Sequence, residues 1–275
     1  MPRDERTGPS SILERRKLLA GLGSLIVLSP VACGSDGDNS GAGGGTGTGS
    51  GSGTGTGSGT GTGSGTGTGG AGGNGGAGGG GIVDCALTPE QTEGPFYLDD
   101  DLVRDDITEG KPGIGLRVVI HVVSLPDCTP LPDHAVDLWH ADHLGQYSGF
   151  PGQGHQGNVD LTGETFLRGT GMTDAGGRVE LTTIYPGWYP GRAVHIHFKV
   201  HLPGNMEVTS QLYFPDDTNE AVHQQAPYDA LGSPNTTNAQ DGILSATPDN
   251  ERLLVALSAD GGGYLAELVV GVLPS

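Results

Sequence analysis

Ala193–Leu202, AVHIHFKVHL, alternates apolar and polar side chains without a break. Val194, Ile196, Phe198, Val200 and Leu202 fall on one side of an extended chain, and His195, His197, Lys199 and His201 on the other. A period of two marks a strand with one face in an apolar core. The neighbouring runs read the same way. Leu116–Ser124, Ala135–His140, Arg178–Tyr185, Val208–Phe214, Leu253–Leu257 and Tyr264–Leu273 are predicted strands, rich in β-branched and aliphatic residues. Asp174-Ala175-Gly176-Gly177 and Pro203-Gly204-Asn205 are turn sequences. No long helical period appears. The expected fold is all-β: a β-sandwich of mostly antiparallel strands, with long loops at Gly145–Gly171 and Phe214–Asp249 that can carry a site.

The 275 residues do not all belong to that fold. Residues 34–81 are almost entirely Gly, Thr, Ser and Ala and hold about half of the 53 glycines. A segment with so little apolar surface cannot offset its backbone entropy, so it is expected to be a disordered linker with a mean reach on the order of 40 Å. The folded domain is then 82–275. Residues 1–33 read as an export signal: Arg15-Arg16-Lys17 precedes the apolar run Leu18–Val31, which is too short to span a membrane as a mature helix. The paired arginines suit the twin-arginine route, and Val31-Ala32-Cys33 resembles a lipoprotein box. An exported protein lipid-anchored through Cys33 is expected, with plain cleavage near Ala32 as the alternative. Cys85 and Cys128 then remain, as a disulfide or as two free thiols.

A formal net charge of −19 argues against a nucleic-acid partner. The one dense cluster of chemistry lies around the opening stretch. His195 and His197 point the same way and can reach one metal ion. Pro186-Gly187-Trp188-Tyr189-Pro190-Gly191-Arg192 brings two aromatics and an arginine towards them. Farther upstream stand Trp139-His140-Ala141-Asp142 and Gly145-Gln146-Tyr147-Ser148.

TEGPFY (Thr92–Tyr97), WHADHLGQYS (Trp139–Ser148), TFLRG (Thr165–Gly169), PGWYPGRAVHIHFKV (Pro186–Val200) and SQLYF (Ser210–Phe214) together resemble the intradiol ring-cleavage dioxygenases, in that family's order. The resemblance implies iron(III) held by Tyr147, Tyr189, His195 and His197. It implies an active-site arginine at Arg192, a pocket glutamine at Gln211 and a catalytic role for Tyr189 as well. The implied reaction opens an aromatic 1,2-diol with O2 between its hydroxyl-bearing carbons, giving a cis,cis-muconate-type diacid. The hardness of iron(III) suits phenolate donors. Tyr185 is the rival of Tyr189. His140, His143, His155 and His201 are other possible ligands, and Trp139 and Trp188 suit a core or pocket wall. Arg168 fits either the pocket or a structural ion pair. A helical N-terminal region that supports dimers in part of the family is replaced here by the Gly-rich linker, so oligomeric state stays open. A non-catalytic envelope-tethered binding module and a zinc hydrolase are the competing readings.

Overall fold

A computed structural model describes residues 85–273. The export signal, the linker and Cys33 lie outside the described residues. Nine strands form two sheets: β1 (Gly115–Ser124), β2 (Thr129–Pro130), β3 (Ala135–Trp139), β4 (Arg168–Met172), β5 (Arg178–Ile184), β6 (His195–Leu202), β7 (Met206–Tyr213), β8 (Ala256–Asp260) and β9 (Gly263–Val272). In the first sheet β1 pairs with β5 and β2 on one side and with β9 on the other, and β9 pairs with β8. The second runs β4-β3-β6-β7. All named pairs are antiparallel except β1 with β9. The all-β sandwich expected from the alternation is the architecture observed.

Its core joins Leu116, Val118, Ile120 and Val122 of β1 to Ile196, Phe198 and Val200 of β6, all buried in one apolar cluster. Each such side chain contributes on the order of 1.5–3 kcal/mol by leaving water. The other face of β6 ought to be wet, since it points away from the first sheet. Yet His195, His197 and Lys199 are 2–4% exposed. The segment before β1 provides the cover. Gln91 N–H donates to the Thr209 carbonyl (2.9 Å), and a Cβ on Gly94 would sit 3.2 Å from the His197 ring. A third layer thus roofs the histidine face.

Several predictions from sequence need correcting. Leu253–Leu257 is not one strand: Asn250–Leu253 is a 3₁₀ turn, and β8 begins only at Ala256. The Phe214–Asp249 loop contains a helix, α1 (Asp216–His223), whose residues are mostly polar. Strand β4 takes up the end of the expected loop Gly145–Gly171 and runs on to Met172; its RGTGM sequence carries no apolar alternation. Its glycines are needed for packing: a Cβ on Gly169 would meet Ile107 at 2.4 Å, and one on Gly171 would meet Val179 at 2.4 Å.

Cys85 and Cys128 form a disulfide with Cα atoms 5.4 Å apart, closing 43 residues. Loop-closure entropy for that length makes the bond worth roughly 2–4 kcal/mol. Cys85→Ser should therefore lower the thermal midpoint by several degrees. An unchanged midpoint on adding reductant to the parent protein would show that the bond carries no such load.

Candidate metal centre

His195 and His197 rise from the end of β6 nearest the Pro- and Gly-rich turn. His195 Nδ1 lies 2.6 Å from the Ala193 carbonyl, which fixes the proton there and leaves Nε2 as a bare lone pair. That Nε2 lies 3.2 Å from His197 Nε2, 3.2 Å from Tyr189 Oη and 3.5 Å from Tyr147 Oη. Burial keeps both imidazoles neutral: it lowers His197 well below its ordinary range and His195 to about 3, with the Arg192 charge adding to the His195 shift. Burial likewise pushes the Tyr147 and Tyr189 phenols up, although Arg192 partly offsets this at Tyr189.

Such a group is unhappy alone. Two imidazole nitrogens and two phenol oxygens crowd together away from water, and His197 Nδ1 has no hydrogen-bond partner. A small cation resolves this. Metal–nitrogen and metal–oxygen bonds of about 2.0–2.2 Å place neighbouring donors roughly 3–3.5 Å apart, which is the spacing found. Metal charge would also reverse the upward shift of the phenols and favour phenolate. Among the described residues no group of three His, Cys, Asp or Glu side chains could hold a metal, so a cation held here would need the tyrosines as donors.

Each tyrosine is delivered by its own loop. Asp142 Oδ1 accepts from Leu144 and Gln146 N–H (2.9 and 3.0 Å), and its Oδ2 pairs with Lys111 (2.7 Å). This ties the turn that presents Tyr147. Phe96 stacks on the Tyr147 ring at 4.4 Å, and Gln153 Oε1 accepts its N–H at 2.9 Å. Tyr189 sits on the Pro186–Arg192 turn, and the two loops touch backbone to backbone. A Cβ on Gly145 would fall 2.1 Å from the Trp188 carbonyl, and one on Gly187 2.2 Å from that of Asp142. Between them opens a cleft of about 180 Å³, lined by residues including Phe96, Tyr147, Gln153, His155, Tyr189 and Pro190. Cavities near 150 Å³ accept benzene, so this one suits a single aromatic ring.

Arg192 flanks the donors. Its Nη2 donates to Gln211 Oε1 (2.5 Å) and Tyr213 Oη (3.1 Å), and Nη1 lies 3.5 Å from His195 Nε2. Gln211 stands opposite His197 in the β6–β7 register and donates to the Thr92 carbonyl (3.1 Å). All six predicted site residues are therefore gathered in one place. Tyr185 is not among them: it is fully buried and donates to Asn219 Oδ1 (2.7 Å). Nor are the other histidines. His201 contacts Asp137 (2.7 Å), and His155 packs edge-on against Trp188. Arg168 makes no ion pair among the described contacts; it donates to Ser148 Oγ, the Ser148 carbonyl and the Phe96 carbonyl (2.9, 2.7 and 2.6 Å). Trp139 stacks on His197 at 5.0 Å, which makes it a wall of the centre.

His140 is fully buried between the Ala141 carbonyl (2.8 Å) and Thr183 Oγ1 (2.7 Å). Burial lowers it from 6.5 to about 4, against the pull of Asp142 and helped by Arg168. The folded state thus favours the neutral ring. Its contribution is complete above pH 6.5 and is lost as pH falls towards 4, a change of roughly 3 kcal/mol. The stability gap between the parent and His140→Gln, measured by urea unfolding, should shrink by about that much from pH 7 to pH 4. A gap that does not move with pH would contradict this.

The chain is similar to known dioxygenases. A family profile described as Dioxygenase matches residues 89–228. Catechol 1,2-dioxygenase 1 of Acinetobacter lwoffii is 28% identical over 152 residues, 47% of this chain and 47% of that protein. The protocatechuate 3,4-dioxygenase beta chain of Burkholderia cepacia is 33% identical, over 54% of this chain and 63% of its own length. The chain thus spans less than two thirds of the length of these two relatives. An intradiol ring-cleavage dioxygenase from Tetranychus urticae superposes with a TM-score of 0.63 at 30% identity, covering 69% of this chain and 96% of that one.

Proposed function

The chain belongs to the intradiol ring-cleavage dioxygenase family, and from that premise we propose that it opens a catechol-type aromatic diol between its two hydroxyl-bearing carbons. Both atoms of O2 enter the product, a cis,cis-muconate-type diacid. The observation that carries this reading is that His197 Nε2, the two phenol oxygens of Tyr147 and Tyr189, and Arg192 Nη1 all lie within 3.5 Å of His195 Nε2.

Tyr147, Tyr189, His195 and His197 would hold iron(III). That ion, when bound, supplies a hard Lewis acid that suits phenolate and diolate oxygens and makes an electron-rich ring reactive towards O2. The chain's own residues do the rest. Phe96 and the Gly145 turn confine one ring in the cleft and exclude water. With its own proton given up under the charge of the bound ion, Tyr189, the more exposed of the two phenols, would take a proton at Oη from a diol hydroxyl in the cleft. Tyr147, buried under Phe96, stays in place. Arg192 stabilises negative charge on the reacting ring, and Gln211 and Tyr213 keep its fork from turning.

We also propose that the enzyme works outside the cytoplasm, tethered or released. The Cys85–Cys128 disulfide supports an oxidising compartment.

Oxygen uptake by the iron-loaded chain, run over catechol, hydroxyquinol, protocatechuate and chlorinated catechols, tests the activity. The expected result is one O2 consumed per ring opened for at least one neutral diol, with a visible tyrosinate absorption. No uptake with any of them, by protein that holds iron, would refute the proposal.

A further inference from the structure

We propose that Asp241 is a positioning residue of this centre, setting the orientation of Arg192 and of His195 from a loop far along the chain. The inference rests on the functional reading above. Asp241 is fully buried. Its Oδ2 accepts from Arg192 Nε and from the Ala193 N–H, each at 2.8 Å. Its Oδ1 accepts from the Ile243 and Leu244 N–H groups at 2.9 and 3.0 Å. Both oxygens are saturated, and each has a separate task. Oδ1 folds the carboxylate's own loop, while Oδ2 reaches 49 residues back to the metal centre.

Two consequences follow from Oδ2. A guanidinium is a rigid plane with its donors in a fixed fork. With Nε held by Asp241 and Nη2 held by Gln211 and Tyr213, the plane cannot turn, and Nη1 is the edge left facing His195. The second consequence passes through the backbone. Asp241 holds the N–H of Ala193, and the carbonyl of that same residue accepts from His195 Nδ1 at 2.6 Å. One carboxylate therefore steadies both the arginine and the residue that sets the histidine's tautomer. Electrostatics agree. Burial opposes the Asp241 charge, but the Leu244 and Ala193 amides and Arg192 more than offset it and hold the carboxyl below its usual range. A buried charge with a good partner becomes costly when that partner is removed.

A merely structural carboxylate would cap its own loop and nothing more. A double-mutant cycle on the iron-loaded enzyme separates the two roles. Asp241→Asn is expected to lower kcat/KM by roughly 10–100-fold, as lost outer partners of metal sites do, and Arg192→Ala by about 10²–10³-fold. In the Arg192→Ala background, Asp241→Asn should cost at most about fivefold more, because its chief partner is already gone. Losses that multiply in full would overturn the proposal. A measurement on the metal-free parent chain needs no variant. Nitrogen-15 NMR should show Arg192 Nε–H and His195 Nδ1–H as separate signals that exchange slowly with solvent. An Arg192 Nε–H exchanging as fast as that of exposed arginines would also overturn it. That NMR result stands whether or not any diol is turned over, so failure of the functional reading is told apart from failure of this one.

Discussion

The His195→Ala variant is expected to bind no iron and to show no ring cleavage. Both phenols, His197 Nε2 and Arg192 Nη1 lie within 3.5 Å of His195 Nε2. Losing an outer hydrogen-bond partner of a metal ligand costs about 10–100-fold in affinity or activity, so losing the ligand itself should exceed about 100-fold. The fold should survive, because His195 projects from β6 on the face opposite the sandwich core. Metal analysis after iron loading, with the visible absorption, checks the result. A variant that keeps one iron per chain and its colour would remove His195 from the ligand set. The variant's thermal midpoint without metal should be close to that of the metal-free parent, which distinguishes a missing ligand from a missing fold.

The second large effect is expected from a single methyl group. Gly145 has φ near +71°, and a Cβ there would lie 2.1 Å from the Trp188 carbonyl oxygen. Real contacts of this kind do not fall below 3.0 Å, so Gly145→Ala has to force the two tyrosine-bearing turns apart by most of an ångström. Overpacking and a left-handed backbone each cost about 1–3 kcal/mol. A destabilisation of roughly 3 kcal/mol is expected, together with loss of the visible band as Tyr147 and Tyr189 separate. Gly191→Ala is the control. Gly191 also has positive φ (86°), but nothing lies within 4 Å of its would-be Cβ, so only the backbone cost should appear, about 1–2 kcal/mol. If the two variants lose stability equally and both keep their colour, close approach of the turns is not what holds the tyrosines.

Some of this was legible in the residues and some was not. The alternation of Ala193–Leu202 gives both the strand and the shared face of His195 and His197, because pleating alone sets side-chain direction. Tyr189 and Arg192 lie close enough in sequence to that strand for the turn to bring them in. Tyr147 and Gln211 were reached through family resemblance, and their partners Phe96 and Thr92 show why: the contacts cross from a segment that has no regular period of its own. Asp241 was invisible. It lies in a polar stretch where one aspartate reads like any other, and its role comes only from tertiary closure. Strand β4 was hidden for a different reason. Gly169 and Gly171 pack by lacking a side chain, so the property that fits them to the core erases the apolar signal that would have marked a strand. Helix α1 is too short and too polar to give a period.

The parallel pairing of β1 with β9 has a consequence for how the protein comes into being. β1 is hydrogen-bonded on one side by strands that follow it closely and on the other by Gly263–Val272. During synthesis that second side stays open while some 140 further residues are made, and a chain still held in the ribosome at residue 260 carries an apolar sheet with a bare edge. The first sheet and the core it shares cannot be completed until Val272 has emerged, whereas the second sheet has all four of its strands by Tyr213. Closing the first sheet thus depends on a pairing between distant parts of the chain, the kind of contact that slows folding, and its β1 edge stays open until the last strand arrives.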